Sequence, residues 1–166
     1  MLKRQIARSP QKVTNIEYAG NPEYKGYEAC PPGYAVSVVP GKRFTAIPFD
    51  FSNIAASGTS KKRYTLSTGF HFVALQINAY GVNHGTTTEN MNFTVLIRDE
   101  FTSQDLTKDP VHAKCITGSG KRPYNMPYPY RFLGGTTISV EIKNLDSSNA
   151  IDVYFVLIGY EEPATA

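Results

Sequence analysis

Thr137-Ile138-Ser139-Val140-Glu141-Ile142-Lys143 is followed by Asn144-Leu145-Asp146-Ser147-Ser148-Asn149-Ala150 and then by Ile151-Asp152-Val153-Tyr154-Phe155-Val156-Leu157-Ile158-Gly159-Tyr160. In the first run Ile138, Val140 and Ile142 alternate with Ser139, Glu141 and Lys143. Side chains on a strand alternate faces, so this run predicts a strand with one apolar and one wet face. In the second run Ile151, Val153, Phe155 and Leu157 share a face, and Tyr154, Val156 and Ile158 make the opposite face apolar as well. A strand apolar on both faces is expected to be covered on both. Asp146 to Asn149 carry turn chemistry. The stretch therefore predicts a C-terminal hairpin whose second arm is an inner strand of a β-sandwich, one face on the core and the other on a partner chain.

Working outward, the rest of the chain fits an all-β fold. It has 166 residues, 13 Gly, 11 Pro and 11 Tyr, and no long stretch with helical periodicity. Strand-like runs are expected at Tyr34–Val39, Arg43–Phe51, Arg63–Ser67, Phe70–Tyr80, Asn92–Asp99 and Val111–Ile116. Ser52–Lys62, Gly81–Asn90 and Glu100–Asp109 read as loops or polar connections. Lys121–Phe132 holds three prolines among tyrosines. Proline disfavours both ladder and helix, so an extended strap is expected, covering an open end of the sandwich or crossing to another subunit. The fold predicted is all-β: a single jelly-roll-like antiparallel β-sandwich of about eight strands, over residues 34–166, with an extended N-terminal arm over residues 1–33. Its expected core is Phe44, Ile47, Val73, Leu75, Ile77, Phe93, Val95, Ile97, Ile138, Val140, Ile142, Val153, Phe155 and Leu157.

The arm is aperiodic. Lys3, Arg4, Arg8 and Lys12 make its start basic, and Tyr18, Tyr24 and Tyr27 are spaced among prolines. A floppy terminus is the plain expectation, but the tyrosines favour an extended segment that orders on contact with another surface. A net charge of +3 is too mild to imply nucleic acid, which stays open but not favoured as a partner of the arm. The basic start lacks the apolar run of a signal peptide, and no stretch is long and apolar enough to span a bilayer. Synthesis in a cytoplasm, with no membrane partner, is expected. Cys30 and Cys115 are preferred as free thiols, with a bridge between them left open.

Catalytic chemistry finds little support. His71, His84 and His112 form no pair at ligand spacing, and neither cysteine sits in a C-x-x-C. Gly118-Ser119-Gly120-Lys121 matches a phosphate loop only in part, with Cys115 at the first glycine's place and Arg122 at that of the magnesium-binding hydroxyl. There is no G-x-S-x-G elbow and no calcium loop. Asp99 and Glu100 are adjacent on a strand and so should face opposite ways, a poor acid–base pair. No catalytic residue, cofactor or metal site is expected.

Several runs together carry a family likeness. They are Pro127-Tyr128-Pro129-Tyr130-Arg131-Phe132, the Gly134-Gly135 turn, Ile138–Leu145 and Val153–Tyr160, with Phe70–Ala79 and Phe93–Asp99 upstream. In these the chain resembles the small β-sandwich virion proteins of tailed bacteriophages over roughly residues 34–160. The resemblance implies a non-enzymatic capsid decoration or minor capsid protein, located in the virion, packing on capsid or tail subunits and on its own copies. A tail-associated or a receptor- or glycan-binding module is the alternative. The expected interface comprises Lys3, Arg4, Arg8, Lys12, Tyr18, Tyr24 and Tyr27 of the arm, and Tyr124, Tyr128, Tyr130, Tyr154 and Ile158 of the sandwich.

Overall fold

The computed structural model describes residues 41–118 and 122–164. The arm and the expected strand Tyr34–Val39 lie outside the described residues. Nine strands are described: β1 (Arg43–Ile54), β2 (Thr59–Thr65), β3 (Phe70–Asn83), β4 (Phe93–Asp99), β5 (Gln104–Asp105), β6 (Val111–His112), β7 (Tyr124–Phe132), β8 (Thr137–Asn144) and β9 (Ile151–Pro163). One helical turn, α1 (Ala113–Ile116), follows β6.

Two antiparallel sheets pack face to face. One has the order β1-β9-β3-β7; the other runs β2-β8-β4-β5, with β6 also on β4. The pairs β1–β9, β2–β8, β3–β7 and β4–β5 nest one inside the next, and successive long strands alternate between sheets. This is jelly-roll connectivity. The core lies between the sheets. Phe51, Phe72, Phe93, Phe132 and Phe155 are its largest buried side chains, and Ile138, Val140 and Ile142 of β8 face Val153, Phe155 and Leu157 of β9. Burying an aliphatic or aromatic side chain of this kind contributes roughly 1.5–3 kcal/mol each.

The expected C-terminal hairpin is corrected here. β8 and β9 do not pair; β8 sits between β2 and β4, and β9 between β1 and β3. Their connection crosses from sheet to sheet, so that the two apolar faces meet across the core instead of lying side by side. Both are inner strands, as was expected of β9. The crossing is fastened by Asn144, fully buried, whose Nδ2 donates to the carbonyls of Ile54 at 3.2 Å, Ala55 at 3.1 Å and Asn149 at 2.8 Å.

Other boundaries shift for identifiable reasons. The expected loop Ser52–Lys62 shrinks to Ala55–Gly58, because β1 runs on to Ile54 and β2 already starts at Thr59. β2 is polar because it is an edge strand; its side chains are almost all exposed. Lys62 lies on the core-side face of that edge, its Nζ 5.9 Å from the Phe51 ring centroid, a charge that discourages another strand from docking there. β3 continues through Gly81 to Asn83, and the glycine marks a close approach: a Cβ there would lie 2.3 Å from the Asn90 carbonyl oxygen. The expected strand Val111–Ile116 is a two-residue strand followed by the single helical turn. The expected strap is β7, an edge strand paired with β3. Its prolines are accommodated where the register breaks between Asn125 and Tyr130.

Two core expectations fail. Phe44 is 75% exposed. Ile47, Phe49 and Phe51 point inward, and Phe44 has the opposite parity. Leu75 is the extra residue of a β-bulge, since Ala74 pairs with Gly159 and Gln76 with Ile158. The bulge switches the inward parity of β3 from Phe72 and Ala74 to Ile77 and Ala79, and leaves Leu75 partly exposed. Val73 is buried, but on the outer side of the sheet rather than in the central cluster.

Candidate interaction surface

The two outward faces of the sandwich differ in chemistry. On the β2-β8-β4-β5 side the outward residues are mostly polar or charged, and several of the charges are paired. Lys61 Nζ lies 2.9 Å and Arg63 Nε 3.5 Å from Glu100 Oε1, and Arg98 Nη2 donates to Asp105 Oδ2 at 3.0 Å. Lys61, Ser139 and Arg63 hold the Glu100 carboxyl down at about 2. A shallow depression of about 100 Å³ lies there among Lys61, Leu96, Arg98, Ser139 and Glu141.

The β1-β9-β3-β7 side is apolar over its β1–β9 half. The register sets the outward residues in rows across β1, β9 and β3: Phe44, Tyr160 and Val73; Ala46, Ile158 and Gln76; Pro48, Val156 and Asn78; Asp50, Tyr154 and Tyr80. Phe44, Ala46 and Pro48 are exposed, Tyr154 is 51% and Tyr80 47% exposed, and Val156, Ile158 and Tyr160 are half-buried. The second apolar face of β9, predicted to be covered, is thus open among the described residues. Large apolar side chains held in a contiguous stripe mark contact surfaces more often than scattered ones do.

Charge is divided along this stripe. At the Phe44 end Lys42 Nζ sits 4.1 Å above the Tyr160 ring and 3.1 Å from its hydroxyl, while Arg43 pairs with Glu161 and Arg131 with Glu162 at 2.8 Å. At the other end stand Asp50, which is exposed, and Asp152. Asp152 Oδ1 accepts from the Asn53 backbone N–H at 2.7 Å and lies 2.9 Å from His84 Nδ1; these bonds, the first above all, hold its carboxyl below the usual range.

Of the sequence-predicted interface residues, Tyr154 and Ile158 lie in the stripe. Tyr128 is 83% exposed on β7, away from it. Tyr124 and Tyr130 pack against the core. The Tyr130 ring lies 4.7 Å from that of Phe132, and its hydroxyl donates to Asp99 Oδ2 at 3.2 Å; burial pushes its phenol up. Lys3, Arg4, Arg8, Lys12, Tyr18, Tyr24 and Tyr27 lie outside the described residues. Val156 lies on the outer face of β9 that the sequence assigned to a partner; Phe44, Ala46, Pro48, Tyr160 and Tyr80 were missed as surface residues. The parity of β1 against Ile47, Phe49 and Phe51 was the available signal for Phe44, Ala46 and Pro48.

The candidate chemical groups are engaged in structural bonds. Asp99 is buried and faces inward while Glu100 faces out, as their adjacency predicts. Asp99 Oδ1 accepts from Thr136 Oγ1 at 2.8 Å and from the Phe101 N–H at 2.9 Å, tying β4 to the turn before β8. His71 Nδ1 accepts from the Gly134 N–H at 2.9 Å, and His112 Nδ1 accepts from the Lys114 N–H at 3.3 Å. No group of three or more His, Cys, Asp or Glu placed to hold a metal ion occurs among the described residues. Among them, too, no helix is long and apolar enough to cross a membrane. Cys115 is exposed, and Cys30 lies outside the described residues.

No family model matches the chain, and no curated protein does. Solved structures give distant likenesses. The core of Drosophila NLP, described for its pentamer formation and histone binding, is 15% identical over 71% of this chain and 96% of that one, with a TM-score of 0.34. The infectious bursal disease virus VP2 subviral particle is 12% identical over 80% of this chain, which spans only 42% of VP2, with a TM-score of 0.32. The extra small virus particle of the giant freshwater prawn Macrobrachium rosenbergii is 17% identical over 89% of this chain and 95% of that one, with a TM-score of 0.25. At these scores the likeness carries no argument about function.

Proposed function

We propose that this chain is a non-enzymatic structural component of a bacteriophage particle, a capsid decoration or minor capsid protein that packs on neighbouring virion subunits. The observation that carries the reading is the open apolar stripe of Phe44, Ala46, Pro48, Tyr154, Val156 and Ile158, set on the sheet opposite a polar face that carries ion pairs. Such a surface contributes by burial, and burial needs a neighbour. The phage resemblance of the strand runs and the virion as location belong to the same reading. The arm, with Lys3, Arg4, Arg8 and Lys12, extends onto an adjacent subunit, where its prolines reduce the entropy lost on ordering and its tyrosines supply contact area with few rotors.

Density for intact particles tests this. The chain is expected at repeated, symmetry-related positions with the β1–β9 stripe covered. Purified particles that lack the chain overturn the reading. A free protein that binds cells or sugar arrays, and is absent from repeated particle positions, would instead support the receptor- or glycan-binding alternative.

A further inference from the structure

Among the described residues β1 is an edge strand: β9 pairs with one side of it and no strand with the other. Which of its backbone groups face the open side follows from its neighbours. The Ala79 N–H donates to the Gly118 carbonyl, away from β9. Phe155, opposite Ala79, therefore turns its backbone groups towards β1, where Phe49 faces it. Phe49 and the other odd-numbered residues of β1 thus bond β9, while Phe44, Ala46, Pro48 and Asp50 aim their backbone polar groups at the open edge. Pro48, which has no N–H, stands where β9 does not need one. We infer that this edge pairs with the same edge of a second copy, antiparallel, about a two-fold axis that crosses the sheet between the two Ala46 residues.

In that register Ala46 lies opposite Ala46, Phe44 opposite Pro48, and Lys42 opposite Asp50. Residues directly opposite share a face, so all these pairs lie on the outer face. The apolar rows then run on across the seam. Tyr160 and Phe44 of one copy continue into Pro48 and Val156 of the other, and Ile158 and Ala46 into Ala46 and Ile158. On the inner face Thr45 meets Ile47, and Arg43, already paired with Glu161, meets Phe49. No like charges meet across the seam. Moving the register by two residues sets Phe44 opposite Asp50 in one direction and Lys42 opposite Pro48 in the other.

Charge identifies the partner. Asp50 is exposed in a row with Tyr154 and Tyr80, and it has no hydrogen-bond or ion-pair partner among the described residues. Lys42 reaches Glu162 only at 3.9 Å, and Arg131 holds that carboxylate at 2.8 Å. Within one chain Lys42 and Asp50 are about 26 Å apart along the strand, out of each other's reach. The other long edges are guarded, β2 by Lys61, Lys62 and Arg63 and β7 by the irregularity that holds Pro127 and Pro129. Nor does β2 obstruct the pairing. Lys62 lies over Phe51, so β2 runs beside the Ile54 half of β1, and the two copies of β2 fall on opposite sides of the axis at Ala46. The pair joins two apolar stripes into one surface. It thereby deepens the assembly reading, and rests on that reading for its purpose but not for its geometry.

Sedimentation equilibrium of the full chain tests this, and a reversible dimer is expected. Lys42→Glu and Asp50→Lys should each weaken it roughly ten-fold, and the two combined in one chain should restore it, because the positions meet only across copies. Ala46→Pro removes an N–H aimed at the open edge; it should weaken the dimer as well and leave the melting midpoint of the monomer in place. Amide exchange at Phe44, Ala46 and Asp50 should slow as concentration rises. A chain that stays monomeric at its solubility limit overturns the inference. So does a dimer indifferent to Ala46→Pro, or charge reversals that add without rescue. Slow exchange at these amides in a monomer overturns it too, by placing another segment on the edge. A monomer that occupies repeated particle positions overturns this inference and leaves the assembly reading standing; a rescued dimer that particles lack upholds this inference and overturns that reading.

Discussion

Gly159 shows how one residue accommodates an irregularity two strands wide. It pairs with Ala74 next to the bulged Leu75, and a Cβ at Gly159 would lie 1.9 Å from the Val73 carbonyl oxygen. Backbone, unlike the end of a flexible side chain, cannot swing aside. Gly159→Ala should therefore destabilise the protein by about 1–3 kcal/mol, the scale of overpacking. Phe155 sits 1% exposed at the centre, its ring 6.2 Å edge-on from that of Phe49. Phe155→Ala should cost about 3–5 kcal/mol. Denaturant unfolding of both variants reads these costs, and an unchanged midpoint for Phe155→Ala would contradict the packing described.

At the scale of elements, the connection between β8 and β9 is organised by polar bonds rather than by apolar contact. Asp146 Oδ1 accepts from the Ser148 N–H at 2.8 Å and the Asn149 N–H at 3.0 Å, and Oδ2 accepts from Asn90 Nδ2 at 3.0 Å. The Ser148 backbone bond leads the set that lowers the Asp146 carboxyl to about 2, against an ordinary value of 3.8. Glu100 is lowered to about 2 from 4.5 by Lys61, Ser139 and Arg63. Both folded values lie below the unfolded ones, so both groups stabilise the fold fully above the unfolded values and lose that contribution as pH falls towards 2. The denaturation midpoint should decline with acidification over that window. Asp146→Asn should make the decline shallower, which a series of urea titrations at stepped pH would read. A variant with the same slope as the parent would remove Asp146 from the acid limb.

For the whole molecule, the division of labour is between a sandwich that holds its own core and a segment expected to act on neighbours. The described sandwich closes its core between its own two sheets, with Phe93, Phe132, Ile138 and Leu157 fully buried. Deleting residues 1–28 should accordingly leave the melting midpoint of the isolated protein nearly unchanged and sharply lower incorporation into particles. A large stability loss would assign the arm to its own core; undiminished incorporation would end the anchoring idea. If the basic residues of the arm engage packaged nucleic acid instead, affinity should fall steeply with salt, and neutralising Lys3, Arg4, Arg8 and Lys12 should flatten that dependence.

The local pattern was enough for the class of fold and for most of its inner positions. Alternation in Ile138–Ile142, Phe93–Ile97 and Val153–Leu157 is a property of neighbouring residues, and it fixed which side of each strand is buried. Three features were decided only in three dimensions. Whether two adjacent strands lie side by side or face each other across a core depends on which distant strands claim their edges, and β2, β4, β1 and β3 claim those of β8 and β9. The bulge at Leu75 depends on the register that β9 imposes, so parity along β3 could not reveal it. The contrast between the two outer faces depends on which exposed rows the sheets set side by side: Phe44 beside Tyr160 on one, Lys61 beside Glu141 on the other. A row across strands joins residues far apart in the chain, and periodicity along the chain carries no information about it.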